Sequence, residues 1–286
     1  MCFVKVNLSG EVIIALTLTL SHRERELPLL WERVGVRVNK SKQGMTALSV
    51  NINKIALIRN SRGRNYPDVN YFAERFLQLG ASGITLHPRP DQRHARYQDV
   101  VELKALCDRY QQPLNVEGYP TPDFLAVVKQ NRPAQCTLVP DDPQQVTSDH
   151  GWDLRQHAEF LQQICQELTP LGIEVSLFVD YDNADIALAK EIGAARVELY
   201  TEPYAEAFGT ADEEAVWQQF ARAAQLAQHA GLGVNAGHDL NLQNLPRFVQ
   251  IPNILEVSIG HALIVECLEQ GIEATMQAYR QILQSK

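Results

Sequence analysis

From Met45 onward the chain alternates short β-branched apolar runs with longer amphipathic stretches. The runs ALSVNIN (47–53), GITLHP (83–88), PLNVEG (113–118), QCTLVP (135–140), EVSLFV (174–179), RVELYT (196–201), GVNAGH (233–238) and EVSIGH (256–261) predict eight strands. They show little polar alternation, as expected of a parallel sheet covered on both faces. Residues 69–79, 97–110, 122–130, 184–192, 213–230 and 262–283 carry helical spacing, and Gly80, Gly193 and Gly231 stand where a left-handed C-cap would stop a helix. The segment 140–171 is longer than one crossover requires, which predicts an extra helix over 153–168, inserted after the fourth strand.

Eight strands with intervening helices over about 240 residues are the count of an α/β fold of the parallel (β/α)8 TIM-barrel type. A doubly wound open sheet would have fewer strands and a GxGxxG first turn, which the sequence lacks. No linker, low-complexity tract or repeat divides residues 45–286, so they are expected to form a single barrel domain. The hydrophobic fraction of 45% suffices to fill its core. Residues 1–44 read as an N-terminal appendage outside the fold, since Met45 directly precedes the first clean strand. Their apolar run, 12–20, is too short to span a bilayer, and SHRERE follows it without a small-residue cleavage site.

Net charge and cysteines narrow the partners. At −8 the chain lacks the basic face that a nucleic acid would require, and an anionic substrate would need a local positive site. The five cysteines are scattered without CxxC spacing, as free thiols in a reducing cytoplasm would be. No membrane or nucleic-acid partner is expected.

In such a barrel the chemistry lies at the C-terminal ends of the strands. There the sequence places Asn51, Asn53 and Lys54 on the first strand, His87, Arg89 and His94 on and beyond the second, and Glu117 on the third. Glu198 lies on the sixth, Asn235 and His238 on the seventh and His261 on the eighth. Four of the eight histidines thus fall on one rim with two acids, the composition of a proton-transfer site. In NAGHDL (235–240) and SIGHAL (258–263) a glycine closes a strand before a helix, where backbone N–H groups attract an anion. HPRPDQRH places Arg89, Arg93 and His94 on one loop for a second anion. Two anion sites flanking acid–base residues suggest condensation or isomerisation of phosphorylated carbonyl compounds. A metal-dependent aldolase or isomerase of phosphorylated sugars, with His87, Glu117, His238 and His261 as ligands, is one alternative. A non-catalytic phosphosugar-binding barrel is another.

NINKIALIRNSRG, GITLHPRPDQRH, LNVEG, LVPDDPQQVTS, GIEVSLFVD, VNAGHDL and EVSIGHAL, in this order, resemble the bacterial pyridoxine 5′-phosphate synthases of vitamin B6 biosynthesis. The resemblance covers essentially the whole chain after Met45. It implies condensation of 1-deoxy-D-xylulose 5-phosphate with 3-amino-2-oxopropyl phosphate to pyridoxine 5′-phosphate, phosphate and water. It also implies no metal or organic cofactor, and a homo-oligomer, an octamer in the family. By the same resemblance His87 and Glu117 are general bases, His238 a proton donor and Glu198 a transition-state-stabilising carboxylate. Asn51, Arg62, Asp239, Gly260 and His261 match positions contacting the aminoketone phosphate. Asn53, Lys54, Arg89, His94 and Thr147 match those contacting the deoxyxylulose phosphate. The chain departs from the common pattern at Asn53-Lys54, where many members carry Asp-His, and at Asp239, where many carry glycine. YTEPYA (200–205) replaces an HTGCYA-like loop.

Overall fold

In the computed structural model, residues 45–141 and 148–284 are described, together with two short strands near the N-terminus. Those two, β1 (Phe3–Val6) and β2 (Val12–Ala15), form an antiparallel pair of their own. Residues 1–40 form one compact unit and residues 41–286 another.

The larger unit is a closed, all-parallel barrel. Its eight strands are β3 (Ala47–Asn51), β4 (Gly83–Leu86), β5 (Leu114–Gly118), β6 (Gln135–Leu138), β7 (Glu174–Val179), β8 (Arg196–Tyr200), β9 (Gly233–Gly237) and β10 (Ile254–Ile259), with β10 closing against β3. All eight expected strands are present, each within two residues of its expected start.

The helices are α1 (Asn53–Asn60), α2 (Val69–Gln78), α3 (Tyr97–Tyr110), α4 (Pro122–Asn131), α5 (Ala158–Leu168), α6 (Leu188–Ile192), α7 (Glu202–Ala207), α8 (Glu213–His229), α9 (Leu245–Phe248), α10 (His261–Gln270) and α11 (Ile272–Gln284). Asp68 caps α2 by accepting the N–H groups of Asn70 and Tyr71, and Thr121 caps α4 by accepting that of Phe124. Gly80, Gly193 and Gly231 have φ of 95°, 102° and 79°, the left-handed backbone expected of them. The expected helix over 262–283 is two helices, broken at Gly271 (φ 86°).

The helix expected as an insertion after the fourth strand is present as α5, but it is the crossover itself. Among the described residues it is the one α-helix between β6 and β7, and it packs its buried Leu161, Ile164, Cys165 and Leu168 into the main core. The additional helices are elsewhere: α1 precedes α2 between β3 and β4, and α7 precedes α8 between β8 and β9.

The strands do alternate, contrary to the expectation of little polar alternation. Leu48, Val50, Ile84, Leu86, Val116, Leu177, Val197 and Val234 are buried in the core that includes the helices' apolar faces. Each such buried side chain stabilises the fold by about 1.5–3 kcal/mol relative to exposure. The intervening positions meet inside the barrel. Asn235 on β9 donates to Gln135 Oε1 on β6 at 3.1 Å, and Thr137 on β6 lies 3.2 Å from Glu198 Oε2 on β8. These strands are not neighbours, so the contacts pass through the interior. The barrel is therefore sealed outside by hydrocarbon and lined inside largely by polar groups, which must satisfy one another. Among the described residues no helix is long and apolar enough to cross a membrane.

Candidate active site

The polar interior surfaces at the C-terminal rim in a cavity of about 590 Å³. It is lined by Asn51, Asn53, Lys54, His87, Arg89, His94, Glu117, Glu198, His238, Asp239, Gly260 and His261, twelve of the fourteen residues expected to form the site. Arg62 is exposed in the turn after α1 and does not line the cavity. Thr147 lies outside the described residues.

One side is built from the ends of β3 to β6. β3 turns directly into α1, and two asparagine side chains secure the turn. Asn51 Oδ1 accepts the backbone N–H of Asn53 at 3.0 Å, and Asn53 Oδ1 accepts that of His87 at 2.9 Å. Asn51 Nδ2 in turn donates to Glu117 Oε2 at 3.3 Å. Asn53 thereby fixes the backbone of His87, and Asn51 orients Glu117.

Arg89 forms a tight, fully buried ion pair with Asp141, whose Oδ2 also accepts from Ser148 at 2.9 Å and lies 3.8 Å from His87 Nε2. Burial pushes Asp141 upward, and Arg89 pulls it back only in part. Burial, reinforced by Arg89, His94 and Arg93, holds His87 well below the ordinary histidine range. Burial and the same arginines, with Lys54, bring His94 down to about 4. Both rings are therefore neutral at physiological pH. His94 Nδ1 accepts the N–H of Ala95 at 2.9 Å, which leaves the proton of the neutral ring on Nε2.

The carboxylates shift the other way. Burial, and then the neighbouring charge of Glu198, push Glu117 well above the ordinary glutamate value. Burial and Glu256 raise Glu198 to about 8, against a smaller lowering by the hydrogen bond from Thr137. Two buried acids facing one another cannot both ionise cheaply, so the pair retains a proton near neutrality. Gly237 makes room for this arrangement, since a Cβ there would collide with Glu198 Oε1.

The opposite side comes from β8 and β9. Thr201 donates to the carbonyl of Gly237 at 2.8 Å and also contacts that of His238. Beyond it the chain turns through two left-handed residues, His238 (φ 87°) and Asp239 (φ 56°). The Tyr200 ring meets the imidazole edge-on at 5.1 Å, and His238 Nδ1 lies 2.9 Å from Asp239 Oδ2. That hydrogen bond holds Asp239 below the ordinary aspartate value. At the end of β10, Gly260 precedes α10, whose N-terminus faces the cavity through His261.

The four side chains that a metal-dependent aldolase would use as ligands line the cavity, but their ligand atoms do not cluster. Among the described residues, the group whose ligand atoms all lie within 4.8 Å is Glu202, His238 and Asp239. Two of those three are already joined by their own hydrogen bond.

Sequence reasoning missed Asp141, Ser148, Phe178 and Glu202. Asp141 stands in a quoted motif, but its partner Arg89 is 52 positions away, and no local spacing announces such a pair. Phe178 was legible in principle, because it occupies the inward position two residues after Ser176 on β7.

Fold and site together define a (β/α)8 barrel with buried acid–base groups at its catalytic rim. The model of the family described as pyridoxal phosphate biosynthesis protein PdxJ matches residues 48–285, and the chain belongs to this family. The pyridoxine 5′-phosphate synthase of Agrobacterium fabrum is 49% identical over 240 residues, covering 82% of this chain and 96% of that protein. That of Xanthomonas axonopodis pv. citri is 50% identical over 248 residues, covering 84% and 97%. Among solved structures, thiamine phosphate pyrophosphorylase from Pyrococcus furiosus superimposes with a TM-score of 0.55 at 13% identity, covering 84% of this chain and 96% of that one. An archaeal ribulose 1,5-bisphosphate carboxylase/oxygenase gives 0.57 at 10% identity, covering 85% and 60%. At such identities these two establish the barrel fold alone.

Proposed function

We propose that the protein is a pyridoxine 5′-phosphate synthase, joining 1-deoxy-D-xylulose 5-phosphate to 3-amino-2-oxopropyl phosphate with release of phosphate and water. The observation that carries this reading is the convergence of His87, Glu117, Glu198 and His238 on one cavity, in a chain about half identical to relatives of that name. The substrate amine attacks the pentulose ketone and water leaves, giving a Schiff base between the two substrates. No protein lysine and no cofactor is required, because the substrate supplies the nitrogen.

His87, held neutral by burial and its cationic neighbours, is in the form that can accept a proton. Glu117, once ionised, is a stronger base than an exposed glutamate because its neutral form is favoured. His238 donates a proton to the departing oxygen, and Glu198 faces the developing charge. Arg89, His94, Lys54 and Asn53 take the deoxyxylulose phosphate, with Thr147, which follows β6 in the sequence. Gly260, His261 and the backbone of Asp239, with Asn51, take the aminoketone phosphate; Arg62, which stands outside the cavity, is assigned there by family resemblance alone. Holding both substrates in register lowers the barrier by orientation.

The protein is further proposed to work in the cytoplasm, where buried thiols such as Cys107, Cys136 and Cys165 stay reduced. Assembly as a homo-oligomer, an octamer by family resemblance, would cover apolar side chains such as Tyr66 and Leu268, now 80% and 77% exposed. Incubation of the purified protein with both substrates, followed by detection of pyridoxine 5′-phosphate, tests the reading. Absence of product with both substrates saturating would overturn it.

A further inference from the structure

The left-handed pair at His238 and Asp239 is costly for any residue but glycine. Asp239 accepts that backbone (φ 56°) and uses its side chain inward, with Oδ2 at 2.9 Å from His238 Nδ1. Tyr200 also meets this imidazole, with its ring 5.1 Å away at 72°. Two side chains thus act on one ring: Tyr200 packs against it and Asp239 takes its Nδ1. Asn244 Nδ2 donates to the Asp239 carbonyl at 3.1 Å, so the turn is held from behind.

We propose that Asp239 is a positioning residue, whose carboxylate fixes the tautomer and ring orientation of His238 so that proton exchange with substrate runs through Nε2. This rests on the reading of His238 as the proton donor. It also separates the two parts of Asp239: the backbone N–H remains able to meet a phosphate, whereas the carboxylate, an anion, belongs to the histidine. A carboxylate on Nδ1 leaves a neutral imidazole with its proton on that nitrogen and steadies the imidazolium that forms during turnover.

Asp239→Gly and Asp239→Asn test the assignment through the 15N shifts of His238 and steady-state kinetics. In the wild-type protein the neutral ring should show the Nδ1–H tautomer. Asp239→Gly should lose that preference and lower kcat by about 10- to 100-fold, with KM for either substrate within about twofold. Because glycine suits the backbone there, Tm should stay level or rise, which a merely structural role would not allow. Asp239→Asn, whose amide oxygen can still accept, should keep part of the tautomer preference and part of the rate. Unchanged His238 shifts in Asp239→Gly would overturn the proposal, as would a raised KM for the aminoketone with kcat intact. A wild-type protein that forms no pyridoxine 5′-phosphate would sink the synthase reading instead, and the His238 shifts would still decide whether Asp239 sets the ring.

Discussion

His87 and His238 line one cavity from opposite sides, and nearly everything around them differs. His87 is buried, its backbone N–H is anchored by Asn53, and Arg89 and Arg93 crowd it with positive charge. His238 is more exposed, stands on left-handed backbone and gives its Nδ1 to a carboxylate, with Glu202 close by. A single residue type is thereby prepared for two tasks. Cations and burial on one side keep an imidazole neutral, the form that can accept a proton; a carboxylate on the other steadies the imidazolium, the form that gives one. The lesson is that the division of labour is made by second neighbours drawn from different strands, while both histidines sit at equivalent strand ends.

The largest effect that could break this comparison is expected at Glu117, which shares the His87 side through Asn51. Glu117→Gln should keep the fold and substrate binding, yet lower kcat by on the order of 10²-fold or more. Single-turnover kinetics at saturating substrate measure it directly. Near wild-type turnover would leave His87 without its proposed partner base.

Glu198, between the two sides, sharpens the comparison through stability. The unfolded chain titrates near the ordinary glutamate value of 4.5 and the folded protein near 8. Between those values the folded state carries the extra proton, so stability falls as pH rises toward 8 and levels off above it. Glu198→Gln removes this titration. Its Tm relative to wild type should therefore improve from pH 5 to pH 8, corresponding to a few kcal/mol in order of magnitude. A difference that does not change with pH would mean that Glu198 is ionised throughout.

Gly237→Ala should act on the same carboxylate more mildly. The new Cβ would displace Glu198 Oε1, the end of a side chain that can move, so about 1–3 kcal/mol of stability should be lost by overpacking. The rate should fall about tenfold as the carboxylate shifts. Thermal unfolding and kcat measured on one preparation check both; unchanged kcat would separate Glu198 from the chemistry.

Much of the site was legible because barrel geometry converts strand ends into a ring. His87, Glu117, Glu198 and His238 were readable once the strands were placed. The strands themselves were found through their apolar outer positions, and reading them as having little polar alternation hid the rest of the inner row: Ser49, Thr85, Asn115, Thr137, Ser176 and Ser258. Period-two reading of that row would have led to Phe178 and to the polar barrel interior. Helix α1 escaped because it follows β3 within two residues, with Ile52 at its N-cap making no side-chain hydrogen bond, so NINKIALIRN reads as a strand running into a loop. Asp141 and Glu202 were out of reach for another reason. Their value lies in partners brought from distant strands, and only closure of the barrel creates them.

The smallest effect is expected at Lys54. Lys54 is half-buried near the start of α1 and lines the cavity, near enough to help lower both His94 and Asp239. It therefore links the two sides that otherwise differ in sign. On the His94 ring, burial and Arg89 act more strongly, so Lys54→Ala should move the His94 midpoint up from about 4 by less than Arg89→Gln does. An ammonium at this place can also meet a phosphate or hydroxyl of the pentulose. Lys54→Ala should raise KM for that substrate about three- to tenfold, on the order of 1 kcal/mol, with KM for the aminoketone and kcat within about twofold. Lys54→His should recover part of the loss, and more at pH 6 than at pH 8, because an introduced imidazole carries charge mainly at the lower pH. NMR titration of His94 and kinetics with each substrate varied in turn give the two readouts. Equal effects on both Michaelis constants would assign Lys54 to the general field of the cavity rather than to the pentulose.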